Sequence, residues 1–317
     1  MLYRLIQKFY HDAVYARNDD DGTIHYFSYK DFKGLQAVPY AFPSSRGHAL
    51  HGYFYSYPNP LPSRLVVFDH GMGGGHRAYM KEIELLCSKG LMVLAYDHTG
   101  CMRSEGKTTG GFAQSLRDLD DCLKSLSKLG GGAPVDISVV GHSWGGFAAM
   151  NIGAKHPEVR RIVSISGFIS VQSIIEQKFG GLLKKAGERF YMQAKRQDPQ
   201  FASMNALESL KKTRAKVLLI HSEDDEVVSV EGFDLLKTAL EHRPNFTFLK
   251  VRHKGHNPNY TEQAVRYKDE FFATYPKLKK KLLTPEQKAA FVAAQDWHKM
   301  TEQDPHVWEH IFATLEV

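Results

Sequence analysis

The chain has 317 residues, 43% of them hydrophobic and 24% charged, the make-up of an ordinary globular protein with length enough for a sizeable core. No apolar run approaches the roughly 18 residues that a bilayer span needs, and the opening MLYRLIQKFYHD has neither an unbroken apolar stretch nor a small-residue cleavage site, so a cytoplasmic protein without stable membrane insertion is expected. A net charge of +6 without any nucleic-acid-binding motif argues against a nucleic-acid partner, and Cys87, Cys101 and Cys122 are too widely spaced for a metal motif and read as reduced core or helix residues.

In chain order, β-branched and apolar runs predict strands at 25–29, 36–41, 49–55, 64–68, 91–96, 136–140, 161–166, 216–220 and 245–251. From residue 64 onward most of these are followed by helix-length segments, at 79–89, 112–129, 147–155, 230–242 and 261–274. Strand followed by helix, repeated, predicts an α/β fold: a mainly parallel central sheet with helices on both faces. The leading strands have no helices between them and predict an antiparallel N-terminal edge.

Two regions interrupt the alternation. Residues 168–215 are too many for a plain crossover and predict a helical cap inserted into the single domain of 1–317. Leu183, Ala186, Phe190 and Ala194 recur there at helical spacing, and Gly180-Gly181 reads either as a hinge or as a plain turn. Ten basic residues against four acidic ones fall between Val171 and Lys216, a surplus equal to the whole net charge; it reads as a solvated helical face or as a surface that attracts anions. Residues 283–317 follow the basic run Lys277 to Lys281 and carry two cap-then-proline signals, Thr284-Pro285 and Asp304-Pro305. They predict a C-terminal helical extension that packs on the main domain or on a second copy of the chain.

The most informative segment is Gly141-His142-Ser143-Trp144-Gly145-Gly146, set between a predicted strand and a predicted helix. Glycines on either side of the serine permit a sharp turn that lifts the hydroxyl above the sheet edge and turns the following amides toward any oxyanion formed there. A serine hydroxyl needs a base, and the base needs a carboxylate to orient it. Both are available after later strands: the acidic loop His221-Ser222-Glu223-Asp224-Asp225-Glu226 and the turn Lys254-Gly255-His256-Asn257. Loops at that edge are where open α/β sheets hold their sites.

With these segments, Asp69-His70-Gly71-Met72, and the stretch Asp97 to Gly106 with its Asp-x-x-Gly-x-x-x-Ser-x-Gly form, the chain resembles the α/β-hydrolase superfamily over residues 36–276, on its serine esterase and serine aminopeptidase side. The resemblance implies Ser143 as nucleophile, His256 as base, Asp225 as the orienting acid, and the amides of Met72 and Trp144 as oxyanion donors. It prefers Asp225 to Asp224 because Asp225 and Val228 keep the register of the family's Gly-x-x-Asp-x-x-Val loop, although Ser222 stands where the glycine belongs. Glycines continue past Met72 as Gly73-Gly74-Gly75, so another amide of that loop is a further candidate donor; no Lys-Ser or Lys-Thr follows to make a phosphate cradle. The function implied is hydrolysis of a small-molecule acyl substrate, a carboxylic ester of short-to-medium chain, with no metal or organic cofactor. A thioesterase, an aminopeptidase-like enzyme and a binding module that has lost catalysis are the alternatives.

Overall fold

A computed structural model describes residues 2–128, 135–280 and 284–317; Leu129 at the end of a predicted helix, Lys281 of the basic run and Leu283 at the start of the predicted extension lie outside the described residues. Eight strands form one sheet: β1 (Gln36–Pro43), β2 (Ala49–Ser56), β3 (Arg64–Asp69), β4 (Met92–Tyr96), β5 (Asp136–His142), β6 (Val159–Ile165), β7 (Lys216–Ser222) and β8 (Phe246–Val251). Their spatial order is β1-β2-β4-β3-β5-β6-β7-β8. β2 runs antiparallel to both neighbours, and every pair from β4 to β8 is parallel. This is the α/β architecture with an antiparallel edge that the sequence predicts. Pro39 and Pro43 are tolerated because β1 is an edge strand and has a ladder on one side only.

The central strands β3, β5 and β7 are apolar runs because helices cover both faces. Side-chain alternation divides them. Val67, Val139, Leu219 and Val217 join a core with helix α1 (Leu2–Val14) on one face, whereas Val66, Phe68, Val140 and Ile220 join a second core with helix α2 (Met80–Ser88) on the other. Helices α3 (Gln114–Lys128) and α4 (Trp144–Ile152) follow β4 and β5. Between β6 and β7 come α5 (Val171–Lys178), α6 (Lys184–Gln197) and α7 (Ala206–Lys212). α8 (Glu231–Leu240) then precedes β8, and α9 (Glu262–Lys280), α10 (Pro285–Ala293), α11 (Trp297–Met300) and α12 (Pro305–Leu315) close the chain. Among the described residues no helix is long and apolar enough to cross a membrane.

Several local expectations are corrected. Residues 25–29 form no strand: the amide and hydroxyl of Ser28 donate to Asp31 Oδ2 at 2.6 and 3.0 Å, which caps a single 3-10 turn at Tyr29–Asp31. Helix α4 begins at Trp144, three residues before the predicted start. Helix α1 was not expected at all; its Tyr10 stacks on Phe190 of α6 at 4.1 Å and meets Phe179 edge-on at 5.6 Å. In α6 the predicted apolar stripe buries Ala186, Phe190 and Ala194, but Leu183 caps the helix and stays 37% exposed.

The tail carries the predicted caps. Thr284 and Gln287 exchange hydrogen bonds at the start of α10, and Asp304 Oδ1 accepts from the His306 amide at 2.8 Å at the start of α12. Val307, Trp308, Ile311 and Leu315 of α12 are buried in the second core, so the apolar face of this helix is spent on its own chain. The tail also encloses Glu82 of α2, whose Oε1 accepts from Asn259 Nδ2 at 3.1 Å. Asn259 is held in turn by Gln303 Oε1 at 2.9 Å.

Close backbone contact governs the turn after β5. A Cβ at Gly145 would lie 2.0 Å from the Asp69 carbonyl oxygen of β3, and one at Gly141 would lie 2.2 Å from the Gly145 carbonyl oxygen. Gly145→Ala should therefore cost about 3 kcal/mol or more, because the Asp69 and His70 carbonyls that the methyl meets are backbone and cannot swing away; a shift in the urea midpoint checks it. Burial pushes the Glu82 carboxyl from 4.5 up to about 7, against the opposing hydrogen bond from Asn259. A folded-state pKa above the unfolded one gives a contribution that is whole below about pH 4.5 and lost as pH rises through about 7. Glu82→Gln should thus raise the melting temperature at pH 8, by at most about 3 kcal/mol of stability, and the gap between variant and wild type should close at pH 5 in thermal melts.

Candidate active site

Ser143 lies at the carboxyl end of β5 with φ 55° and ψ −109°, in the positive-φ region that a non-glycine residue occupies only when its surroundings compel it. Its amide donates to the Ile165 carbonyl of β6 at 2.8 Å, which pins the turn to the sheet. Trp144 and the residues after it open α4, so the positive end of that helix begins directly at the serine. The Trp144 indole is buried and donates to the Phe112 carbonyl at 2.7 Å.

Asp225 and His256 follow β7 and β8. Asp225 Oδ1 accepts from the amides of Val227 and Val228 at 2.9 and 3.0 Å, and Oδ2 accepts from His256 Nδ1 at 2.8 Å. Burial alone would raise the Asp225 pKa; the hydrogen bonds of His221 and His256 outweigh it and hold the carboxyl well below the usual range. An ionised carboxylate only accepts, so the His256 proton sits on Nδ1 and Nε2 is left as the basic nitrogen. Asp224 does something else: its Oδ1 accepts from the amides of Lys254 and Gly255, each at 3.3 Å, and from the Ser222 hydroxyl. Ser222, the departure from the family loop, thus helps to staple the His256 turn, since its oxygen also accepts from the Lys254 amide at 3.3 Å.

Ser143, His256 and Met72 share the wall between two cavities. The larger, of about 860 Å³, is almost wholly apolar and is lined by Phe9 and Tyr10 of α1, by Phe112 and Phe168, and by Ile174 and Phe179 of α5 and its end. The smaller, of about 240 Å³, carries Tyr79, His142, Asn257 and Lys268, with Trp297 and Met300 of the tail closing it. Among the described residues no group of three His, Cys, Asp or Glu side chains is placed to hold a metal ion.

Sequence reasoning missed the supports around these residues. The Gly71 amide donates to Tyr79 Oη at 3.1 Å, Tyr79 Oη donates to His142 Nδ1 at 2.8 Å, and His142 Nε2 donates to the His256 carbonyl at 2.8 Å. Burial, helped by repulsion from His256, lowers the His142 pKa to about 3, so this imidazole is neutral and its tautomer is fixed by its partners. Beneath the same loop, His98 Nε2 lies 2.5 Å from Asp69 Oδ1 and Nδ1 lies 3.3 Å from Asp118 Oδ2. Burial alone would lower the His98 pKa; the two carboxylates outweigh it and raise it to about 10. The tail is tied in by an ion pair between Lys254 and Asp304 and by the Asp304 amide, which donates to the Asn259 carbonyl at 2.8 Å. His142 is signalled in the sequence only by its place beside the serine.

Residues 60–206 match the model of the serine aminopeptidase S33 family. Human monoglyceride lipase is 32% identical over 105 residues, 32% of this chain and 34% of that protein. The proline iminopeptidase of Saccharolobus solfataricus is 29% identical over 129 residues, 39% of this chain and 40% of that protein. The chain thus spans well under half the length of either of these curated relatives. Among solved structures, an esterase of Pyrococcus furiosus superposes with a TM-score of 0.59 at 19% identity, covering 84% of this chain and 98% of that one. Strand order, the strained serine between β5 and α4, and these likenesses together give the chain the α/β-hydrolase fold.

Proposed function

We propose that the chain is a serine hydrolase acting on carboxylic esters, with Ser143 as nucleophile, His256 as general base and Asp225 as the acid that orients it. The observation that carries the reading is the 2.8 Å hydrogen bond from His256 Nδ1 to Asp225, which leaves Nε2 as the basic nitrogen of a residue that shares both cavity walls with Ser143. Ser143 Oγ bonds to the acyl carbon as its proton passes to His256 Nε2, and the Met72 and Trp144 amides receive the oxyanion. The carbon–oxygen bond to the alcohol then breaks and His256 returns the proton to the departing oxygen. Water, deprotonated by His256, releases the acid and restores the serine hydroxyl.

The apolar cavity takes the acyl chain. Its volume of about 860 Å³ lies toward the upper end of ordinary ligand pockets, which favours a medium-length chain over the shortest ones. Likeness to an iminopeptidase raises a second reading, cleavage after an N-terminal residue. Such a substrate brings an ammonium group that needs a carboxylate. Among the described residues lining the two cavities there is no Asp or Glu, and Lys268 supplies the opposite sign. Ester hydrolysis is therefore preferred to aminopeptidase action.

A fluorophosphonate probe should label the wild-type chain and fail to label Ser143→Ala. With an octanoyl ester, Ser143→Ala and His256→Ala should each lower kcat by about 10⁴-fold or more, and the double variant should lose no more than either alone, because groups that act as a unit are not additive. Asp225→Asn should lose less. Additive losses would remove the triad, and a well-folded wild type that resists the probe would favour a binding module.

A further inference from the structure

The smaller cavity contains a cation for which the proposed chemistry has no use. Lys268 of α9 lines it together with Ser143, His256 and Asn257. Its ammonium donates to Asn257 Oδ1 and lies 5.8 Å from the centre of the Tyr260 ring. Among the described residues no carboxylate pairs with it within 4.0 Å. Asn257 takes one of three ammonium hydrogens, which leaves two for other acceptors. Burial lowers the Lys268 pKa, opposed at longer range by Asp269, Glu82 and Asp225. Lys268 is only half-buried, and a partly desolvated cation without a paired anion gains from an incoming one.

The two cavities meeting at Ser143 differ in what their walls offer. The apolar one, under α1 and α5, suits a hydrocarbon, its Lys178 donating to the Glu226 carbonyl; the other, beside Ile24, Phe272 and Trp297, adds Tyr79, His142, Asn257 and Lys268 and so can hold a polar group. An ester bound across Ser143 would place its acyl and alcohol halves on opposite sides. We propose that Lys268, with Asn257, binds an anion on the alcohol half, so that the substrate class is an acyl ester of a phosphorylated or carboxylated alcohol. The proposal rests on the ester-hydrolase reading and deepens it. The shared chemistry is an oxyanion a few bonds from the ester, and phosphate and carboxylate are separate arms of the test.

Three esters with the same acyl chain discriminate: octanoyl glycerol, octanoyl glycerol 3-phosphate and octanoyl 3-hydroxypropionate, each below its micelle concentration. In wild type, kcat/KM for at least one charged ester should exceed that for octanoyl glycerol by about tenfold, the value of one charge-assisted hydrogen bond. The ratio should fall as salt is added, survive Lys268→Arg and collapse toward one in Lys268→Met. A wild type that hydrolyses octanoyl glycerol and takes the fluorophosphonate probe, but prefers neither anion, overturns this proposal and leaves the hydrolase reading standing. So does a folded Lys268→Met that keeps the wild-type ratio. If wild type neither takes the probe nor hydrolyses any of the three, both readings fall.

Discussion

The arrangement rests on one steric constraint, the approach of the first turn of α4 to the end of β3. Gly145 leaves no room for a methyl group beside the Asp69 carbonyl, and Gly146 packs almost as closely on Gly167. With the helix pressed that near the sheet, the residue joining β5 to α4 has to reverse within a single peptide, and Ser143 is driven to positive φ. Strain of that kind costs of order 1–3 kcal/mol and persists only where the surroundings over-determine it. Here the surroundings are the hydrogen bond from the Ser143 amide to the Ile165 carbonyl of β6 and the Gly145 contact on β3. What the strain secures is position: Ser143 faces both cavities at the end of β5, and the Asp69 and His70 carbonyls are drawn against the opening of α4.

Three loops from three strands have to keep register around that hydroxyl, and neutral hydrogen bonds do this where charged ones would interfere. His142 stands beside Ser143 and joins the Met72 loop, through Tyr79, to the His256 backbone. An imidazolium there would repel the positive charge that the proposed mechanism would place on His256. Burial keeps it neutral. The charged supports sit farther off: His98 lies between Asp69 and Asp118 below the loop of Gly71 and Met72, and Lys254 pairs with Asp304 behind the His256 turn. Removing one partner from a buried pair costs more than the pair itself contributes, so these positions are demanding whatever their net effect on stability.

The sequence made the sheet legible because strands buried on both faces leave continuous apolar runs, and crossover helices leave segments of fixed length between them. The serine turn was legible through its glycines, and the pairing of Asp225 rather than Asp224 with His256 through register with Val228, whose amide shares the carboxylate. Helix α1 was not. Its apolar positions, Leu5, Ile6, Phe9, Tyr10 and Val14, do recur at helical spacing, but nothing local says that they will cover a cavity walled by α5 and the residues just after it. The tail escaped for a similar reason: its caps announce helices, whereas the part played by Trp297, Met300 and Asp304 depends on meeting α9 and the His256 turn far away in sequence.

The parts of the molecule that sequence patterns miss are also those that would choose the substrate. Backbone constraints of the sheet place Ser143, Asp225 and His256, and such constraints leave marks in short motifs because glycine and turn chemistry are local. The cavities are bounded instead by side chains of α1, α5, α9 and α11, elements whose exposed or helical periodicity records that they pack but not against what. Reaction type and substrate choice are thus written at different ranges along the chain, the first within a few residues of each strand end, the second between its two termini. A change in α1 or in the tail can therefore alter what the cavities admit while the strand ends, and with them the proposed chemistry, keep their geometry.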